Sequence, residues 1–141
     1  MTFQPGVRYR AVDIHNVVGG QQQYYLSTRD GLVVAAKLRR GLNPDAPEAV
    51  LVGQGPKIYE NARMAAEQRE PFPVFVAEDA EPGFVYIGLF VGAGMTEDPA
   101  VLGYFGRRSG RTDLRAACFL ESAGRLPLGS PNGRRTAGRE R

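Results

Sequence analysis

Residues 13–28 read Asp13-Ile14-His15-Asn16-Val17-Val18-Gly19-Gly20-Gln21-Gln22-Gln23-Tyr24-Tyr25-Leu26-Ser27-Thr28. Sixteen residues hold the chain's one histidine, a glycine pair, three glutamines and two tyrosines. Glycine lets a backbone approach a ligand closely. Glutamine carries both a donor and an acceptor and so can read a base edge, and tyrosine offers a flat face for stacking. The combination reads as a segment that handles a nucleobase. On this reading Asp13 and His15 lie on a strand and point the same way, with Asp13 orienting His15. A turn at Gln21–Gln23 aims one or two of the glutamines at the partner.

Outward from this stretch the pattern is mostly β. Residues 7–14 alternate Arg8 and Arg10 with Tyr9 and Ala11, the rhythm of a half-exposed strand. Leu32 to Leu38 and Ala49 to Val52 are short apolar runs bounded by turn residues. Pro73 to Ala77 and Phe84 to Val91 flank the turn signal Glu81-Pro82-Gly83, and Ala116 to Leu120 closes the set. One helix is expected, capped by Asn61, running from Arg63 to Glu70 and stopped by Pro71 and Pro73. Five or six short strands around one helix predict a mainly β, α+β domain built as a small closed or half-closed barrel over residues 3–122.

A chain of 141 residues with 43% hydrophobic content can bury a core. No apolar run nears the roughly 20 residues of a membrane span, and no basic-then-apolar leader opens the sequence. A single cysteine fits a cytoplasmic protein. The 18 basic side chains are 16 Arg and two Lys. Residues 1–120 carry 13 basic and 13 acidic groups, so the net +3 belongs to residues 121–141, with five Arg against two Glu. Residues 123–141 read as a disordered basic tail. Overall charge is therefore weak evidence for a polyanionic partner. Local clusters are stronger candidates for phosphate contacts: Arg8 and Arg10; Lys37, Arg39 and Arg40; and Arg107, Arg108, Arg111 and Arg115.

Several chemistries are disfavoured. A His-Asn-His nuclease needs more than one histidine. A paired-carboxylate nuclease needs Glu-x-Lys, and neither Lys37 nor Lys57 has an acid two residues before it. One His and one Cys do not make a zinc site, and Cys118 in Ala-Ala-Cys-Phe-Leu reads as a buried structural thiol. Gly53-Gln54-Gly55 lacks the rest of a phosphate loop. Binding without catalysis, metal or cofactor is expected.

The order Phe3-Gln4-Pro5-Gly6-x-x-Tyr9-Arg10-x-x-Asp13-Ile14-His15-x-x-x-Gly19-Gly20-Gln21-x-Gln23-x-x-x-Ser27 resembles the opening of SRA-like (SET-and-RING-associated, YDG-type) domains. The nearest variety is that of McrA-type modification-dependent restriction enzymes and of small standalone actinobacterial 5-methylcytosine-binding proteins. Val52-Gly53-Gln54-Gly55, Asn61-Ala62, Val85-Tyr86-Ile87-Gly88 and Ala117-Cys118-Phe119-Leu120-Glu121 extend the likeness over residues 3–121. It implies a PUA-like barrel that binds duplex DNA carrying 5-methylcytosine or a related base, in some members by flipping it out.

The family's pocket uses an aromatic pair and an aspartate. The corresponding stretches here hold Leu51, Leu38 to Arg40, and Asn43 or Asp45, none aromatic. Tyr24, Tyr25 and Tyr59 are the candidate replacements, with Asp13, His15, Gln21 and Ser27 completing the expected pocket. Arg8, Arg10, Lys37, Arg39, Arg40 and Lys57 are the expected DNA-backbone contacts. Two classes stay open: a reader of modified DNA, with any nuclease supplied in trans, and a PUA/ASCH-like RNA-binding module or small nucleotide-acting enzyme.

Overall fold

The computed structural model describes residues 3–123. The expected basic tail, residue 123 apart, lies outside them. Seven strands and three helices follow in the order β1 (Arg8–Tyr9), α1 (Ala11–Val18), β2 (Leu26–Arg29), β3 (Leu32–Arg39), β4 (Ala49–Val52), α2 (Pro56–Glu67), β5 (Phe72–Ala77), β6 (Phe84–Thr96), α3 (Pro99–Ser109) and β7 (Ala116–Ser122). They form one sheet in the order β2-β3-β5-β6-β7-β4, with β1 added on β6. The β3–β5 pair is parallel and all others are antiparallel. Among the described residues no helix is long and apolar enough to cross a membrane.

Alternation along β5 shows how the sheet is filled. Phe72, Val74 and Val76 join the core beneath α2, while Phe75 and Ala77 join a second cluster with Phe3, Ile14 and Tyr86, as a period of two requires. Helix α2 crosses the concave face and touches β2, β3, β4, β6 and β7. Its buried side is Asn61, Ala62, Ala65 and Ala66, small enough for the helix to lie close to the sheet. The approach is close at Gly92 of β6, where an added Cβ would stand 2.2 Å from the Ala65 carbonyl oxygen. A third cluster packs Phe105 of α3 against Ala49, Leu51 and Ala117. The sheet is thus half a barrel, covered on both faces.

Three expectations about elements need correction. The segment 7–14 is not one strand. Ladder pairing stops at Tyr9, and Arg10 begins a helix whose apolar positions Ala11, Ile14, Val17 and Val18 follow helical spacing. Asp13, three residues in, accepts the Arg10 backbone N–H at 3.1 Å and its guanidinium at 3.0 Å, so Asp13 holds the helix start and not His15. Two residues apart on a helix, Asp13 and His15 point to nearly opposite sides.

Asn61 is not a cap. The helix starts at Pro56, where proline suits the first turn, and Asn61 is interior, its Nδ2 donating to the Leu26 carbonyl at 3.0 Å. Finally, α3 joins α2 and α1, making three helices where one was expected. Asp98 caps α3 by accepting the Ala100 N–H at 2.9 Å, and Gly110 (φ 74°) ends it.

Candidate functional site

A cavity of about 450 Å³ opens at one end of the half-barrel, within the roughly 300–1,000 Å³ range of small-ligand sites. Four loops meet there: Gln22–Tyr25 before β2, Leu42–Asn43 after β3, Gly53–Gln54 before α2, and the α3–β7 connection at Arg111 and Asp113. Apolar wall comes from Leu42, Leu51, Ile58 and Phe84; charge comes from Lys37, Arg39, Arg111 and Asp113.

Tyr24 stands at the mouth, 38% exposed. Tyr25 beside it packs on the main core, and its buried hydroxyl makes no hydrogen bond among the described residues. Burial raises the pKa of that phenol. The two rings also wall a smaller cavity of about 130 Å³, with Leu26, Ile58 and Asn61 behind them. The loop bearing them is fixed from below. Lys37 of β3 is 5% exposed, and its ammonium donates to the carbonyls of Gln22 at 2.5 Å and Gln21 at 3.3 Å. It has no carboxylate partner among the described residues, and burial lowers its pKa.

Arg111 grips Asp113 through two hydrogen bonds, Nε to Oδ1 and Nη2 to Oδ2, each 3.0 Å. Those bonds hold the Asp113 carboxyl below the usual carboxylate range. Arg111 also donates to the Leu42 carbonyl at 3.2 Å, and Gln54 Nε2 to the Asp113 carbonyl at 2.9 Å. Three of the four loops are therefore tied together at the rim.

Of the residues expected at the pocket, Tyr24 and Tyr25 line the cavity, and Gln22 and Gln23 line it in place of Gln21. Gln21 instead shapes the loop: Oε1 accepts the Thr28 N–H at 2.8 Å, and its carbonyl takes the Ser27 hydroxyl at 2.6 Å. Ser27 is thereby a buried structural group. Asp13 is engaged with Arg10 and kept below its usual pKa by that contact. His15 sits on α1 with Nδ1 buried and, among the described residues, without a hydrogen bond. Tyr59 is spent elsewhere on α2, donating to Glu97 at 2.5 Å beneath the Arg115 guanidinium, 3.7 Å from its ring centre.

The expected backbone contacts divide in the same way. Lys37 and Arg39 reach the cavity, Lys37 as the buried loop anchor just described. Arg39 lies over the Phe84 ring at 4.6 Å and donates to the Glu81 carbonyl at 3.1 Å. Arg8 pairs with Glu81 at 2.9 Å, Arg10 with Asp13, and Arg40 with Glu78 at 3.0 Å. Lys57 is exposed on the first turn of α2.

The site-building role of Arg111, Asp113 and Gln54 was not read from sequence. The signals that could have found it are the Asp98-Pro99 start and Gly110 stop of α3, which bring residues 111–113 back to the rim. Among the described residues no cluster of His, Cys, Asp or Glu could hold a metal. Cys118 is buried, its thiol pushed up to about 12 by burial, as a structural thiol should be.

No family model matches the sequence, and no curated protein matches it. Among solved structures, the crystal structure of the SUVH5 SRA domain in complex with hemimethylated CG DNA aligns with a TM-score of 0.56. The alignment covers 93% of each chain at 14% identity. The chain has the SRA fold. Within that fold, the stretches where the resemblance implied an aromatic pair and an aspartate converge on the cavity: Arg39, Leu51 and Asn43 all line it. Asn43 is committed internally, accepting the Leu51 N–H at 2.8 Å and donating to the Arg39 carbonyl at 3.3 Å. Asp45 is outside, paired to Arg108 through two bonds of 2.8 and 2.6 Å.

Proposed function

We propose that this cavity receives a modified cytosine, 5-methylcytosine first, turned out of duplex DNA, and that the protein is a reader with no nuclease of its own. The observation that carries the reading is the Tyr24–Tyr25 pair on a cavity that Arg39, Asn43 and Leu51, from the stretches where the resemblance implies the base pocket, also line. The fold likeness to a domain crystallised with hemimethylated DNA supports it.

The energetics are consistent. Extruding a base costs a few kcal/mol, and stacking on an aromatic returns about 1–3 kcal/mol per base. Leu42, Leu51, Ile58 and Phe84 supply apolar surface for a methyl group. One buried methyl is worth about 0.8 kcal/mol, close to four-fold in affinity. A larger preference than that requires shape selection by the walls. Arg39 and Arg111 against Asp113 leave the cavity cationic, which suits a nucleotide flanked by phosphates.

The deciding experiment is fluorescence anisotropy at fixed salt with one duplex in four forms: unmodified, methylated on one strand, methylated on both, and hydroxymethylated. A preference for a modified form supports the reading, and equal binding to all four removes it. Tighter binding to single-stranded RNA of the same sequence would place the chain with PUA/ASCH-like RNA modules.

A further inference from the structure

An acceptor opposite the exocyclic amine discriminates cytosine from thymine, because the two methylated pyrimidines differ at that edge: cytosine donates from N4 where thymine accepts at O4. The positions where the SRA resemblance implied such an acceptor offer the cavity no carboxylate. Asn43 is 4% exposed and neutral, with its carboxamide oxygen turned to the Leu51 N–H, and the Asp45 carboxylate is held by Arg108 outside the cavity.

We propose that Asp113, from the α3–β7 connection, is the specificity-determining acceptor for the amine of the flipped cytosine, and that Arg111 is its positioning residue. The inference rests on the reading that the cavity receives a cytosine. Among the described residues, Asp113 is the one carboxylate lining the cavity. Each of its oxygens accepts one bond from Arg111, and an ionised carboxylate has about four lone-pair sites, so acceptor capacity remains on both.

The pair is also pre-set. Arg111 is held by the Leu42 carbonyl, and the Asp113 carbonyl by Gln54. Gly53 makes room for it: an added Cβ there would stand 2.8 Å from Asp113 Oδ2 and 3.3 Å from Arg111 Nη2. A side chain at position 53 would push the carboxylate off its seat. An acceptor fixed before the base arrives loses little entropy on binding.

The test compares anisotropy titrations with duplexes carrying cytosine, 5-methylcytosine or thymine at one position opposite guanine, for wild type, Asp113→Asn, Gly53→Ala and Asp45→Asn. A mispaired thymine is easier to extrude, but equally so for every protein, and cancels in the comparison between proteins. Asp113→Asn replaces one acceptor by a donor suited to thymine O4 and should cut the 5-methylcytosine/thymine affinity ratio about ten-fold. Gly53→Ala should lower it in the same direction, and Asp45→Asn should leave it unchanged. If wild type separates 5-methylcytosine from cytosine but Asp113→Asn keeps the wild-type ratio against thymine, or Asp45→Asn loses it, the Asp113 assignment is overturned while the reader stands. If wild type does not separate 5-methylcytosine from cytosine, both fall.

Discussion

The Lys37 ammonium reaches across from β3 to the Gln22 carbonyl at 2.5 Å, so a buried cation holds the loop that presents Tyr24 and Tyr25. Lys37→Met removes this tie and also the cost of burying a charge. These offset, since Gln22 is exposed and its carbonyl can turn to water. Stability in urea should change by about 1 kcal/mol or less. Affinity for modified DNA should fall because the tyrosine loop loses its anchor, with the salt dependence unaltered. Lys57→Ala, on the exposed first turn of α2, should weaken modified and unmodified DNA alike and lower the salt slope by about one. If Lys37→Met lowers the slope by one, Lys37 is a phosphate contact after all.

Tyr24 and Tyr25 should separate by burial. Tyr24→Ala trims a ring already 38% exposed. It should cost within about 0.5 kcal/mol of stability but about 1–3 kcal/mol of binding to the modified duplex if the ring stacks on the base. Tyr25→Phe deletes a buried hydroxyl that makes no hydrogen bond. Thermal melting should show it as stable as wild type or up to about 1 kcal/mol more so. A loss above that would mean the hydroxyl has a partner in solution.

The β framework was legible because β3, β4, β5 and β7 are short apolar runs with turn residues at both ends, and their predicted bounds fall within one or two residues of those observed. Of the helices, α2 was read with its start too late, and α1 and α3 were missed for two different reasons. In residues 7–14 a four-residue alternation outweighed the helical spacing of Ala11, Ile14 and Val17. In α3 the run Leu102-Gly103-Tyr104-Phe105-Gly106 buries only Phe105, so its apolar signal is faint. The site divided along the same line. Tyr24 and Tyr25 stood out by residue type beside a glycine pair. Arg111 and Asp113 acquire their role only through tertiary return of the chain. Tyr59, Asp13 and Ser27 looked equally suitable in sequence because a side chain's hydrogen-bond partner is invisible there.

Gln68 makes the structure's clearest single stability prediction. β5 pairs with β3 only from Ala36 onward. Beside Val33 the Gln68 side chain takes the strand's place, accepting the Val33 N–H at 2.8 Å and donating to its carbonyl at 2.9 Å. Gln68→Leu leaves both groups buried and unpaired, at about 1–3 kcal/mol each. Calorimetry should show a melting temperature lower by about 10 °C. A change of 1–2 °C would mean water replaces the carboxamide.

Cys118 sets an alkaline limit on stability. Its thiol lies in the core with Sγ 3.4 Å from the Ala62 carbonyl, and burial pushes its pKa up from 9.0 to about 12. A raised folded-state pKa means that the proton is held more tightly in the native chain. The contribution is therefore fully present below pH 9 and is lost as pH climbs toward 12, at up to about 1.4 kcal/mol per pH unit. Cys118→Ala has no such proton to lose, but gives up core packing worth about 1 kcal/mol. At neutral pH wild type should be the more stable. The difference should shrink from pH 9 upward and reverse above about pH 10. Lys37, whose pKa burial lowers, and Tyr25, whose pKa burial raises, are present in both proteins and so largely cancel in the difference. Urea unfolding of the two proteins from pH 7 to 10.5 measures it, and curves that stay parallel would show that the native thiol ionises as readily as the unfolded one.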